Sequence, residues 1–169
     1  MVPNTCGGRK VTEPVSNPSI EDIAAWHRTF APMSFNHVWS LLDQEERTRE
    51  QDEEMLSSTF AQRYHWYEVG TPRHQAIADW QVSRVAAVLG YAELARRFGE
   101  RSLAMSIDND LDPFVTGFAH EAIARAAADV DDYATFSQHL ELARSQVAQI
   151  EDPEDRSILE ADLAEMSEV

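Results

Sequence analysis

The sequence predicts an all-α fold, an antiparallel helix-hairpin array (α-solenoid or bundle) of about eight helices. Three observations predict it. Apolar residues recur at helical spacing in almost every segment, and no period-two apolar run or Asn-Gly or Asp-Gly turn marks a strand pair. The breaks carry residues that stop one helix and start the next: Gly70-Thr71-Pro72, Asp112-Pro113 and Asp152-Pro153. At 169 residues, the chain suits one compact domain with a substantial core.

Ser19, with Asp22 three residues on, can cap a first helix whose stripe is Ile20, Ile23, Ala24 and Trp26 to His27, ended by the segment APMS. Ser34 can cap a second, with Phe35, Val38, Trp39 and Leu42 on one face. Thr48 and Gln51 form a capping-box pattern for a third, from about Arg49 to Glu68, whose apolar stripe is Leu56, Phe60, Tyr64 and Tyr67. Gly70 can then take the left-handed conformation, Thr71 can cap, and Pro72 opens a fourth helix to Leu89. Because that helix is apolar on most sides, it belongs at the centre. Gly90 ends or bends it.

A fifth helix runs from about Tyr91 to Ile107, with Tyr91, Leu94, Ala95, Phe98, Ser102 and Met105 on one stripe. Asp112 caps a small-residue helix from Phe114 to Ala128. The seventh carries Tyr133, Phe136, Leu140, Ala143 and Val147. The eighth, after Asp152-Pro153, is acidic, with Ile158, Leu159, Leu163 and Met166 on one side, and reads as a solubilising cap. Residues 1–18, rich in Gly, Pro, Ser and Asn, read as a flexible arm, and 19–169 as one all-helical domain.

Composition narrows the function classes. Against 14 Lys and Arg stand 30 Asp and Glu, a formal charge of −16. This argues against nucleic acid, whose phosphates need clustered cations, and against anionic membranes. It suits a basic protein or peptide partner. The single cysteine, Cys6, allows no intrachain disulfide and fits a reducing cytoplasm. No apolar run approaches the ~20 residues of a membrane helix, and the first residues lack the apolar core of a signal peptide.

Two segments, GYAELARRFGERSLAMSIDNDLDP and DYATFSQHLELARSQVAQIEDP, share a Tyr, an apolar and small-residue middle and an acidic-Pro stop, a unit of roughly 40 residues. The segment AVLGYAELARRFGERSLAM, followed by FAHEAIARAAADVDDYATFSQHLELA, resembles tetratricopeptide-type hairpins. With RYHW, VGTP and FAHEA, the chain from about Phe35 onward is similar to a group of bacterial, actinomycete-type tetratricopeptide-like proteins. The resemblance implies a helical-repeat fold and no particular reaction. The chain departs from the repeat pattern in its long acidic loops, and in having no Gly between Val130 and Asp132.

Candidate site residues cluster around the stretch from Arg63 to Arg84. Ser58, Ala61, His65 and Glu68 share one small, polar face of the third helix, which would line a groove with Trp66 beside it. Asp79 and Ser83 share a face of the fourth. Arg84 lies one turn from Trp80, close enough for guanidinium-on-indole stacking. Glu121 can pair with Arg125 at i+4. Trp66, Trp80, Phe114 and Phe118 could enclose an apolar ligand, Arg84 could hold a carboxylate or phosphate, and His65 with Glu68 or Glu121 could supply a base and its orienter.

No histidine pair has metal-ligand spacing, and no metal or cofactor is expected. His74 falls in a first helical turn, where a positive charge would oppose the macrodipole. The leading expectation is a scaffold that binds a protein or peptide partner in its groove. The alternative is a small-molecule site, binding or cofactor-independent catalysis, lined by His65, Trp66, Trp80, Arg84 and Glu121. An acidic mimic occupying a nucleic-acid-binding protein ranks last.

Overall fold

A computed structural model describes residues 18–166, and every described helix packs on a chain neighbour. Cys6, most of the expected arm and residues 167–169 lie outside the described residues. Seven α-helices are present among the described residues: α1 (Ile20–Leu42), α2 (Arg49–Val69), α3 (Pro72–Val88), α4 (Ala92–Asp108), α5 (Pro113–Ala128), α6 (Tyr133–Val147) and α7 (Pro153–Glu165). The described residues contain no strand.

Seven replace the expected eight because the first two are one rod. Pro32 lies inside α1, and Ser34 is an interior residue rather than a cap. An interior proline removes the hydrogen bond to the carbonyl four residues back and costs about 3 kcal/mol. Here Ala31 and Val38, both fully buried, anchor the helix on either side of it. Elsewhere the local chemistry acts as read. Ser19 with Asp22 and Thr48 with Gln51 close reciprocal capping boxes on α1 and α2. Asp112 and Asp152 cap α5 and α7, each just before a proline.

The helices pair as α1 with α2, α3 with α4, and α5 with α6, while α7 rests on α5 and α6. Helices α3 and α5 are the inner rods. Helix α3 contacts α2, α4 and α5 and reaches α1, where Gln81 Nε2 donates to the Phe35 carbonyl at 3.2 Å. Helix α5 buries eleven of its residues, from Val115 to Ala127, which demands small side chains. At Gly117 an added Cβ would stand 2.5 Å from Leu159 Cδ2, so glycine sets how closely α7 approaches α5.

Two stripes differ from expectation. On α2, Tyr64 is 56% exposed and Phe60 is covered only in part, edge-on to Phe98, while Met55, Thr59 and Gln62 are buried instead. The i, i+4 and i+7 set that contains two polar residues is the buried one: Gln62 Nε2 donates to the Ala78 carbonyl across the α2–α3 contact at 3.1 Å, while Thr59 Oγ1 and Gln62 Oε1 are buried without a hydrogen-bond partner. On α1, Ile20, Ile23 and Trp26 face solvent, and His27 is the buried member of that turn.

The turns follow from hydrogen-bond closure. After α3, Gly90 has φ +76, with Tyr91 N–H donating to the Ala86 carbonyl and Gly90 N–H to that of Ala87, a Schellman stop. The same closure follows α4 and α5 with aspartates in the left-handed position, Asp110 at φ 50 and Asp131 at φ 57. Gly70 does not take it. Its φ is −81, and glycine is required there because a Cβ would lie 2.5 Å from the Trp66 carbonyl oxygen.

Candidate functional site

Three helices bring a group of the singled-out residues together. Trp80 and Arg84 stand one turn apart on α3. Phe114, Phe118 and Glu121 share a face of α5 at spacings of four and three, with Arg125 one turn further on. Ile158 and Asp162 project from α7. Their meeting point is Glu121, which has no exposed surface. Its Oε2 accepts from Trp80 Nε1 at 3.1 Å, and its Oε1 accepts from Arg84 at 3.3 Å and Arg125 Nε at 2.6 Å.

Arg84 also donates to Asp162 at 3.1 Å and so ties α3 to α5 and α7. Two guanidinium groups face two carboxylates, and the node closes near neutrality, as a buried charge cluster must. Trp80 and Arg84 therefore meet through Glu121 rather than by stacking on each other. Burial pushes the Asp162 carboxyl above the usual range, while Arg84 pulls it back.

Beside this node opens a cleft of about 380 Å³. Phe35 and Trp39 come from α1, Ile77 and Trp80 from α3, Phe114, Val115 and Phe118 from α5, and Ile158 and Asp162 from α7. Ser102 of α4 closes the floor, its hydroxyl donating to the Ala76 carbonyl at 2.9 Å. The rings interlock: Trp39 lies 5.8 Å from Trp80, and Trp80 meets Phe118 edge-on at 5.0 Å, as Phe118 does Phe114 at 4.9 Å. Such edge contacts fix ring orientation by quadrupole attraction, so the cavity walls are held in place. The Glu121 node fixes the indole at the centre of the chain of rings.

His65 and Trp66 are placed elsewhere. His65 turns to α1, where its Nδ1 stands 2.8 Å from His27 Nδ1, and its ring also contacts Phe30. Burial and the neighbouring His27 hold its pKa below the ordinary value. Trp66 stacks on His74, with centroids 4.3 Å apart and 18° between planes. His74 Nδ1 in turn accepts the Thr71 N–H at 3.2 Å, so the helix start is capped by a neutral imidazole whose pKa burial lowers. The crowded VGTP segment is therefore a packed joint between α2 and α3.

A second buried carboxylate was not legible as a centre. Asp79, fully buried on α3, accepts from Arg63 and from the Tyr67 hydroxyl of α2, and from Arg101 of α4 at 3.3 Å. Arg63 also lies over the Tyr67 ring, 4.1 Å from its centroid. Burial, then the bond to Asp79, raises the Tyr67 pKa. The available signal was Asp79 itself: a lone carboxylate in an apolar helix requires buried cations. His120 and His139 form a further pair across α5 and α6, Nδ1 to Nδ1 at 3.0 Å.

Chemically, the cleft is an apolar container with oriented walls. Of the charged node Asp162 lines the cleft, whereas Arg84 and Glu121, which bind each other, do not, and Arg84 ties Asp162 to them. Among the described residues no group of three or more His, Cys, Asp or Glu side chains is arranged to hold a metal ion, and no described helix is long and apolar enough to cross a membrane. No family model, curated protein or solved structure matches this chain.

Proposed function

We propose that this chain is a tetratricopeptide-like helical scaffold that binds a protein or peptide partner, and that the aromatic cleft seats the partner's apolar anchor. The carrying observation is where the cleft's walls come from. Apart from Ser102, they are supplied by α1, α3 and α5, the first helix of each pair, together with α7. A stack of hairpins presents such a common side as a binding surface. An apolar anchor entering the cleft gains ring contacts without disturbing Trp80, which Glu121 already orients. The charge of −16 favours a partner with basic residues around that anchor.

Titration with amphipathic basic peptides, followed by tryptophan fluorescence, tests this reading, because Trp39 and Trp80 both line the cleft. Binding is expected to shift the emission of the native chain. Ile158→Trp, a rim position 47% exposed, fills the opening without entering the core and is expected to abolish binding. Unchanged peptide affinity in that variant would remove the cleft from the proposal. A small apolar ligand is the second reading, favoured by the volume of about 380 Å³, which lies within the range of small-molecule sites. Thermal stabilisation by small aromatic compounds, lost in Ile158→Trp and without any peptide response, would select it.

A further inference from the structure

Helix α1 carries an apolar face that the other described elements cover only in part, the His65 ring touching Phe30 at its edge. Ile23, Trp26, Phe30 and Met33 are 39%, 50%, 45% and 59% exposed, Ile20 is exposed at the start of the helix, and Tyr64 of α2 lies at the edge of the patch. Their spacing of 3, 4 and 3 residues is that of a seam between two helices, and it is separate from the α2-facing set of His27, Ala31, Val38 and Leu41.

We propose that this face is the contact between two copies of the chain, packed antiparallel along α1 about a two-fold axis. The 3-4-3 spacing reads the same in both directions. A second copy running the other way therefore sets Ile23 opposite Met33 and Trp26 opposite Phe30. The charge distribution permits it. In a chain of net −16, the outer flank of the seam holds Asp22, already bonded to Ser19, and otherwise Ala25 and Thr29. On the α2 side Glu68, exposed one turn beyond Tyr64, is the carboxylate at the other edge of the patch.

The area lies at the threshold. With whole side chains of about 200 Å², the exposed parts of these six residues come to roughly 670 Å² per subunit when all are covered. Doubled, that reaches the ~1,200 Å² at which specific interfaces begin. The stack is also unequal at its ends. Helix α7 covers the α5–α6 side and buries Leu159 and Leu163, whereas α1 leaves its apolar residues open among the described residues. As an alternative cover, residues 1–17 offer Met1, three valines and no aromatic side chain.

Sedimentation equilibrium of the full chain decides the matter, alongside Trp26→Glu and Phe30→Lys, both exposed positions expected to leave the far-UV dichroism unchanged. The expected result is a reversible dimer in the native chain and a monomer in both variants. Acrylamide quenching should show Trp26 shielded in the dimer, with Trp26→Phe identifying its share of the emission. The proposal is overturned by a native monomer at up to about 100 μM, well above the micromolar end of such interfaces. It is also overturned by a dimer that persists in both variants, which would place the interface on another face. A native monomer with a shielded Trp26 would assign the cover to residues 1–17 instead.

Discussion

Replacing Glu121 by glutamine tests whether the buried node holds the central helices together. Glutamine preserves shape and one acceptor for Trp80 but removes the charge that faces Arg84 and Arg125, and with Trp80 kept bonded it turns an amide N–H₂ toward both guanidinium groups. Breaking a buried ion pair costs about 3–5 kcal/mol when the partner is left fully buried. Arg84 and Arg125 keep 14% and 21% of their side-chain surface, and Arg84 retains Asp162, so the expected loss falls to about 2–3 kcal/mol. In a domain of this length that corresponds to a fall in Tm of roughly 5–10 °C.

Urea unfolding followed by far-UV dichroism, with the slope unchanged, gives the free energy directly. Removing the charges together while keeping the acceptor for Trp80, in a Glu121→Gln, Arg84→Met, Arg125→Met, Asp162→Asn variant, should recover most of the loss, because no orphaned ion then remains. A loss below about 0.5 kcal/mol in Glu121→Gln, the size of an ordinary surface change, would refute the reasoning. So would an equal loss in an Arg84→Met, Arg125→Met background, since the charge partners would then be irrelevant.

Other outcomes follow from the same geometry. Burial, with His139 alongside, holds the His120 pKa down to about 4 against an ordinary 6.5, so the unfolded chain takes up the proton first as pH falls. The associated stability is complete above about pH 6.5 and is lost on descending toward pH 4. After discounting for partial solvent screening this amounts to about 1–2 kcal/mol, and urea midpoints across that range should fall less steeply in His120→Leu than in the native chain. Asp110→Gly relieves a non-glycine left-handed turn and should stabilise by about 0.5–1 kcal/mol, measured by thermal unfolding. Asp131→Gly should gain less, since it forfeits the Tyr133 hydroxyl bond of 3.0 Å. Gly70→Ala drives a Cβ against the Trp66 carbonyl and should lose about 1–3 kcal/mol in the same assay, with helix α3 the first element to lose amide-exchange protection.

What the sequence determined by itself is local. Capping at Ser19, Thr48, Asp112 and Asp152, the proline starts and the Gly90 stop depend on groups within a few residues of one another, so their chemistry can be read along the chain. The central place of α3 and the small side chains of α5 were legible too, since a helix apolar on most sides has nowhere else to go. Pro32 shows the limit: a local breaking signal lost to packing on both sides of it.

Tertiary structure alone decided which faces meet. Arg84 reaches Asp162 across 78 residues, His65 turns to His27 rather than to Arg84, and Asp79 gathers partners from two other helices. Helical period shows that a residue lies on a face, but the rotation of each rod against its neighbours chooses what that face touches. On α2 and α1 that rotation buried Gln62 and His27 and left Tyr64 and Trp26 in solvent. The total packing of all the rods sets it, and no single segment encodes that sum.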